Sequence, residues 1–324
     1  MQTTVLTTVE LFLATKQTEG RSPKTTTWYR DKLLTFARYL DNGQPAKLSD
    51  LTLDRTRQFV AMLQNRTCRF EGHPIRRRAE GGLSPFTIHG YVRTLKAFAT
   101  WLYDEGFTST NVLARLKRPH LPEVMIEILS PEEIDALLHG INQNCALGSR
   151  MFVIFLLLLD TGMRALELCE LTLDNTHLEE GYVKVMGKGR KERIVPICAN
   201  TKKALLRYLS TWRPILAHED CGTLLVTHLG DDMTYSALLQ SVKRLGKRCG
   251  VPRLHPHLFR HTFAVRYLMN GGDVMTLRRI LGHTTLDVTQ MYMHLADADI
   301  KAQHSKFSPV DGLKVKFGRK RGRK

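Results

Sequence analysis

No apolar run in this sequence is long enough to cross a bilayer. The longest, "MFVIFLLLL" from Met151 to Leu159, is about half of the roughly 20 residues that a spanning helix needs. It reads as a buried core helix, and no membrane partner is expected. Cysteines are few and scattered: the six stand singly at 68, 145, 169, 198, 221 and 249, with no CxxC pair. They are read as reduced thiols of a cytoplasmic protein. No secretory leader is expected either, because the first basic residue, Lys16, follows the N-terminal apolar patch. Acidic residues are short in supply. Asp and Glu number 31 against 48 Lys and Arg, a formal net charge of +17, and such an excess points to an extended polyanion, with nucleic acid the leading candidate. The last eleven residues, "KVKFGRKRGRK", hold seven of the positive charges, and taking these from +17 leaves +10 on the remainder. What is present in quantity is apolar residue, 43% of the 324, enough for two domains with real cores and inconsistent with a disordered chain.

Helical periodicity dominates the first third. The stretch from Leu83, "LSPFTIHGYVRTLKAFATWLYDEGF", has Ser84 as N-cap, Pro85 at the first helical position and apolar residues at 88, 91, 92, 95, 98, 99 and 102. Weaker helices are expected over 5–14, 26–40 and 52–63, with no competing strand signal. Between the third and fourth, "CRFEGHPIRRRAEGG" lacks periodicity and reads as an exposed loop in which Arg76, Arg77 and Arg78 form either a solvated charge run or a DNA contact. Pro119 and Pro122, beside Lys117 and Arg118, mark a boundary, and Ser130 with Glu133 makes a capping box that starts the next helix. Downstream come the core helix, a helix opening after Gly162, two β-rich runs that flank "GKGRKE" as a hairpin, a helix through 257–269 stopped by Gly271 and Gly272, a short helix ending at Gly282, and one starting at Thr284 or Thr285 that carries Tyr292. There is no internal repeat. The expected class is mainly α (α+β): an N-terminal helical bundle over 1–118, a linker over 119–127, a mostly helical domain with a small antiparallel sheet over 128–311, and a basic tail over 312–324.

The chemistry concentrates in "HPHLFRHTF" (255–263) and "LGHTTLDVTQMYMH" (281–294). His257 and Arg260 share one helix face, and His257 with His261 has the i, i+4 spacing of zinc helices. The metal reading lacks the glutamate of HExxH and any nearby thiolate or carboxylate, so no metal is expected. The plainer alternative is a set of polar side chains satisfied locally on a basic helix. Against it stand other basic groups at turns: Arg164 at a helix start, Lys188 or Lys191 in the hairpin's glycine turn, and His283 directly after a helix-ending glycine. An arginine fork matches two phosphate oxygens, and two arginines with a histidine donor suit a phosphate that gains charge in its transition state, without metal or other cofactor. A positioned tyrosine can serve as nucleophile there.

In order and spacing, "TGMRALEL", "GKGRKERIVP", "HPHLFRHTFA" and "LGHTTLDVTQMYMH" resemble the motif set of the tyrosine recombinase (phage integrase) family, in the style of its Xer-type and transposon integrases. The helix from Ser84 is similar to the end of that family's N-terminal core-binding domain. The resemblance implies a site-specific DNA recombinase whose site residues are Arg164, Lys188, His257, Arg260, His283 and the nucleophile Tyr292. It implies a 3′-phosphotyrosine intermediate with bond energy conserved, a double-stranded recombination site as partner, and a homotetramer in the synapse. On this reading His257 trades a proton with Tyr292, while His255 and His261 give support or contact the DNA backbone. Residues from about 297 to 309 are expected to form a helix exchanged in trans, since Leu295, Ala298, Ala302 and Phe307 are too few to anchor it at home; the alternative is a helix folded back in cis with a disordered tail. Further DNA contacts are expected from Arg76, Arg77, Arg78, Lys117, Arg118 and Lys191, and from Arg319, Lys320 and Arg321 in the tail. Two other classes stay open, one of which, a type IB topoisomerase, uses a similar set of groups. A type IB topoisomerase would relax DNA as a monomer without joining defined sites, and a noncatalytic DNA-binding protein would need the charge but none of the six groups.

Overall fold

Three serine–proline pairs start helices in the same way. Ser22, Ser84 and Ser130 sit in extended backbone and accept the N–H of Thr25, Thr87 and Glu133, while Pro23, Pro85 and Pro131 occupy the first helical position, where a missing N–H costs nothing. At Ser130 the carboxylate of Glu133 also accepts the serine's backbone N–H at 2.9 Å, completing the expected capping box. The computed structural model describes residues 4–41, 43–69, 79–122, 126–187, 191–282 and 292. Within it residues 1–124 and 125–324 form two compact units.

The first unit is helical: α1 (Val5–Thr18), α2 (Pro23–Leu40), α3 (Leu53–Gln64) and α4 (Pro85–Asp104). The stripe read on α4 is the buried one, with Ile88, Val92, Leu95, Phe98, Ala99 and Leu102 facing inward and Tyr91 packed at the margin. Phenylalanines from all four helices fill the core, Phe12 meeting Phe98 edge-on at 5.5 Å and Phe36 meeting Phe59 at 5.0 Å. One correction concerns strands. Cys68–Arg69 (β1) and Ala79–Glu80 (β2) pair antiparallel at the two ends of the arginine-bearing loop, where none was expected. Two-residue strands are too short to carry an alternating pattern, so nothing in the sequence announces them. Arg76, Arg77 and Arg78 lie outside the described residues.

The second unit runs α5 (Pro131–His139), α6 (Ala146–Thr161), α7 (Ala165–Cys169), β3 (Thr176–His177), β4 (Tyr182–Met186), β5 (Glu192–Pro196) and α8 (Ala199–Arg207). A π-helical segment (Tyr208–Trp212), α9 (Arg213–Leu216), α10 (Tyr235–Arg248), α11 (Pro256–Met269) and α12 (Val274–Leu281) follow. The strands form one antiparallel sheet in the order β3-β4-β5, with Val183 opposite Val195. Val183, Val185 and Val195 point into the core and the alternate residues point away, as a one-sided sheet requires. The apolar run of α6 is central, burying Val153, Ile154, Phe155, Leu157 and Leu158, and Phe155 meets Phe259 of α11 edge-on at 5.3 Å. This contact seats α11, which carries the histidines, on the most apolar helix of the unit. Among the described residues no helix is long and apolar enough to cross a membrane. The fold is mainly helical with small antiparallel sheets.

Candidate active site

Two glycines bring the site's backbone together. Gly162 ends α6 with φ 58°, and a Cβ there would lie 2.5 Å from Phe263 Cδ1 and 2.8 Å from Leu281 Cδ2. Gly282 ends α12 with φ 64°, and a Cβ there would press at 3.1 Å on the side chain of Arg193. Both positions therefore demand glycine on conformation, and Gly162 on space as well. Their close approach lets one side chain bridge them: Arg260, only 4% exposed, donates from Nη1 to Gly162 O at 2.7 Å and from Nη2 to Leu281 O at 2.8 Å. Burial and the neighbouring Arg164 guanidinium pull its pKa down to about 10, which leaves it charged at neutral pH.

Arg164 is the N-cap of α7. Its backbone N–H donates to Glu167 Oε2 at 2.8 Å, its Nη1 donates to Glu167 Oε1 at 2.7 Å, and its Nη2 reaches Gly282 O at 3.4 Å. Glu167 is held from the other side by Arg193 of β5, whose Nη1 and Nη2 donate to the two carboxylate oxygens at 2.8 and 2.7 Å while its Nε donates to Ile280 O at 2.8 Å. Burial works to raise the Glu167 pKa, but the hydrogen bonds from Arg193 and Arg164 prevail and hold it below the usual carboxylate range. One carboxylate thus serves two guanidiniums, and β5, α7 and the end of α12 are tied at one point. Neither Glu167 nor Arg193 was picked out from the sequence. The arginine–glutamate spacing of three at a helix start was the available signal for Glu167; Arg193 had none, since its partner lies 26 positions away.

Tyr292 is 3% exposed and packs with Ala264, Val265, Leu268, Leu277 and Leu281. Its hydroxyl is 2.9 Å from His261 Nδ1. Burial raises the phenol pKa, opposed by the charge of Arg260. From the sequence His257 was the expected partner of Tyr292 and His261 a support; the hydroxyl contact observed is with His261. The His257 and His261 rings lie along α11 with centroids 6.4 Å apart and planes tilted by 34°. Desolvation and the nearby Arg260, His255 and Arg164 keep the His257 imidazole below its ordinary pKa, and desolvation with His257, His255 and Arg260 does the same for His261. His255 is exposed and bonds through Nδ1 to Arg253 O at 2.7 Å.

The structure brings Arg164, His257, Arg260 and Tyr292 together. Lys188 and His283 lie outside the described residues, next to landmarks that are described: Gly187 N–H donates to Lys191 O at 2.8 Å at the neck of the hairpin, and Gly282 precedes His283. Lys191 is exposed. Lys117 and Arg118 are exposed in the first unit, lining a groove with Arg57 and Arg115. Arg319, Lys320 and Arg321, the helix expected after Thr284 and the one expected over 297–309 fall outside the described residues, Tyr292 excepted. Among the described residues no three His, Cys, Asp or Glu side chains are grouped as metal ligands.

Residues 127–299 match the phage integrase family. Over 230 residues, 70% of this chain and 78% of the relative, the sequence is 31% identical to the tyrosine recombinase XerD of Staphylococcus aureus strain Mu50. Two solved structures share the fold. The XerH site-specific recombinase in its post-cleavage complex with a palindromic difH substrate gives a TM-score of 0.69 at 21% identity, over 90% of this chain and 82% of that one. A lambda integrase tetramer bound to a Holliday junction gives 0.68 at 17% identity, over 90% and 77%.

Proposed function

This chain belongs to the phage integrase family and is a site-specific tyrosine recombinase, and we propose that its two units divide the work, the first gripping the DNA and the second cutting and rejoining it with Tyr292 as nucleophile. The phenol oxygen attacks a phosphodiester, a 3′-phosphotyrosine forms and a 5′-hydroxyl leaves; the 5′-hydroxyl of a partner strand then reverses the step. Arg164 and Arg260 clamp the nonbridging oxygens, with His257 and His283 as further donors, and Lys188 protonates the leaving oxygen.

The observation that carries this reading is the meeting of charge and nucleophile around two turns. Arg164 and Arg260 bond to the carbonyls of consecutive residues, Gly282 and Leu281, and the Tyr292 hydroxyl bonds to the residue next to Arg260. Three arginines face one carboxylate, Glu167, among the described residues of this cluster, so the balance favours an anion. Because the guanidiniums are anchored to backbone and to Glu167, they need no reorganisation as the phosphate gains charge.

Metal has no task in this scheme. Strand cleavage, read as an SDS-resistant adduct on a nicked recombination site, is expected to proceed at an undiminished rate in excess EDTA and without nucleotide. An absolute requirement for a divalent ion would overturn it. The acid role has its own test: Lys188→Ala should cleave an ordinary site poorly and recover on a 5′-phosphorothiolate, whose sulfur leaves without a proton. Failure to recover moves the role to Lys191 or beyond.

For assembly, a homotetramer on paired double-stranded sites suits strand exchange, with residues 297–309 reaching into a neighbouring subunit and the basic tail making sequence-independent phosphate contacts. The setting is the cytoplasm, and the outcome is integration or excision of a mobile element or an Xer-like resolution.

A further inference from the structure

We propose that His261 is a catalytic residue of the recombinase, the group that takes the Tyr292 proton during cleavage and returns it during rejoining. The proposal rests on the reading of Tyr292 as nucleophile and moves its proton partner from His257, the residue expected from the sequence, to His261.

The geometry is direct: Nδ1 lies 2.9 Å from the phenol oxygen, within the reach that proton transfer requires. The pairing is held by packing, because Tyr292 shares a buried apolar cluster with Ala264, Val265 and Leu268 of the helix that carries His261. A buried phenol needs such a partner. Burial raises its pKa above the ordinary 10, so its ionised fraction at neutral pH is below roughly one in a thousand. His261 is suited to accept. On its own helix and the segment before it stand His257, Arg260 and His255, whose charges oppose its protonation; Tyr292 faces it from the C-terminal side, and Arg164, Glu167 and Arg193 complete the charged groups of the site. A neutral imidazole with its proton on Nε2 leaves Nδ1 as the acceptor. His257, one turn earlier and exposed, is left to donate to the phosphate.

The step balances. The phenol oxygen forms its bond to phosphorus as the bond to the 5′-oxygen breaks, the phenol proton passes to His261 Nδ1, and Lys188 supplies a proton to the departing oxygen. In rejoining, the imidazolium gives its proton back to the tyrosine oxygen while the attacking 5′-hydroxyl returns one to Lys188.

His261→Asn tests this, because an amide near the Nδ1 position keeps a hydrogen bond to the phenol and accepts no proton. Single-turnover cleavage of a nicked site at saturating DNA and pH 7 should fall by about 100-fold or more, with DNA affinity unchanged. The variant's rate should then climb roughly tenfold per pH unit between about 7 and 9, as hydroxide replaces the lost base, while the wild type levels off once His261 is neutral. His261→Ala should recover at least about tenfold with added imidazole, which also serves if the Asn variant is poorly folded. Cleavage by the Asn variant within threefold of wild type, a reduced rate with an unchanged pH profile, or no imidazole rescue would each overturn the role. Peptide mapping of the wild-type adduct separates the two layers: an adduct on another tyrosine sinks the nucleophile reading, whereas one on Tyr292 with a normal His261→Asn rate sinks only the His261 role.

Discussion

Tyr292→Phe is expected to bind its DNA site as tightly as the wild type and to form no covalent adduct on a nicked substrate. The change removes one oxygen. The ring keeps its place among Ala264, Val265, Leu268, Leu277 and Leu281, and the lost bond to His261 is worth about 1 kcal/mol, so the melting temperature should move by only about 3 °C. A fall in binding or a large loss of stability would mean that the hydroxyl's task is structural. An adduct that persists in the Phe variant would assign the nucleophile elsewhere, and Tyr267, on the same helix as Arg260, would be next.

Glu167→Gln should lower both stability and cleavage although it leaves the six motif residues intact. Glu167 is 5% exposed, Arg193 12% and Arg164 33%. The amide keeps the volume but leaves Arg193 buried without its counter-charge, which costs on the order of 3 kcal/mol and about 10 °C in melting temperature for a unit of this size. Arg164 also loses its orientation, and cleavage at saturating DNA should slow by roughly 100-fold, the cost of a misplaced transition-state donor. The pH dependence has a definite sign. Since the folded pKa of Glu167 is held below the ordinary 4.5, its contribution is fully present above about pH 4.5 and is lost as pH falls through the folded value. The stability gap between wild type and variant should therefore close in acid. Wild-type melting and cleavage in Glu167→Gln would remove Glu167 from the account.

What could be read from the sequence was local. Ser22, Ser84 and Ser130 announce their helices because cap and first turn lie within four residues, and the stripe on α4 is a property of that helix alone. The motif order singled out Arg164, His257, Arg260 and Tyr292, which lie near one another in the fold. The Arg193–Glu167 bond and the reach of Arg260 to Gly162 and Leu281 were hidden because each spans tens of residues and depends on how β5, α6 and α12 pack. The choice between His257 and His261 as partner of Tyr292 is of the same kind. They stand one helical turn apart on α11, and only the placement of Tyr292 against that helix decides which of them meets the phenol. The short pair β1 and β2 escaped for want of length.

The most direct test of Tyr292 as nucleophile is to trap the protein on a nicked duplex recombination site, digest the adduct and locate the nucleotide-bearing peptide by mass spectrometry. The account predicts one modified residue, Tyr292, joined through a 3′-phosphate with a free 5′-hydroxyl on the other strand end; a 5′-phosphate linkage, or a nucleotide on any other residue, would contradict it.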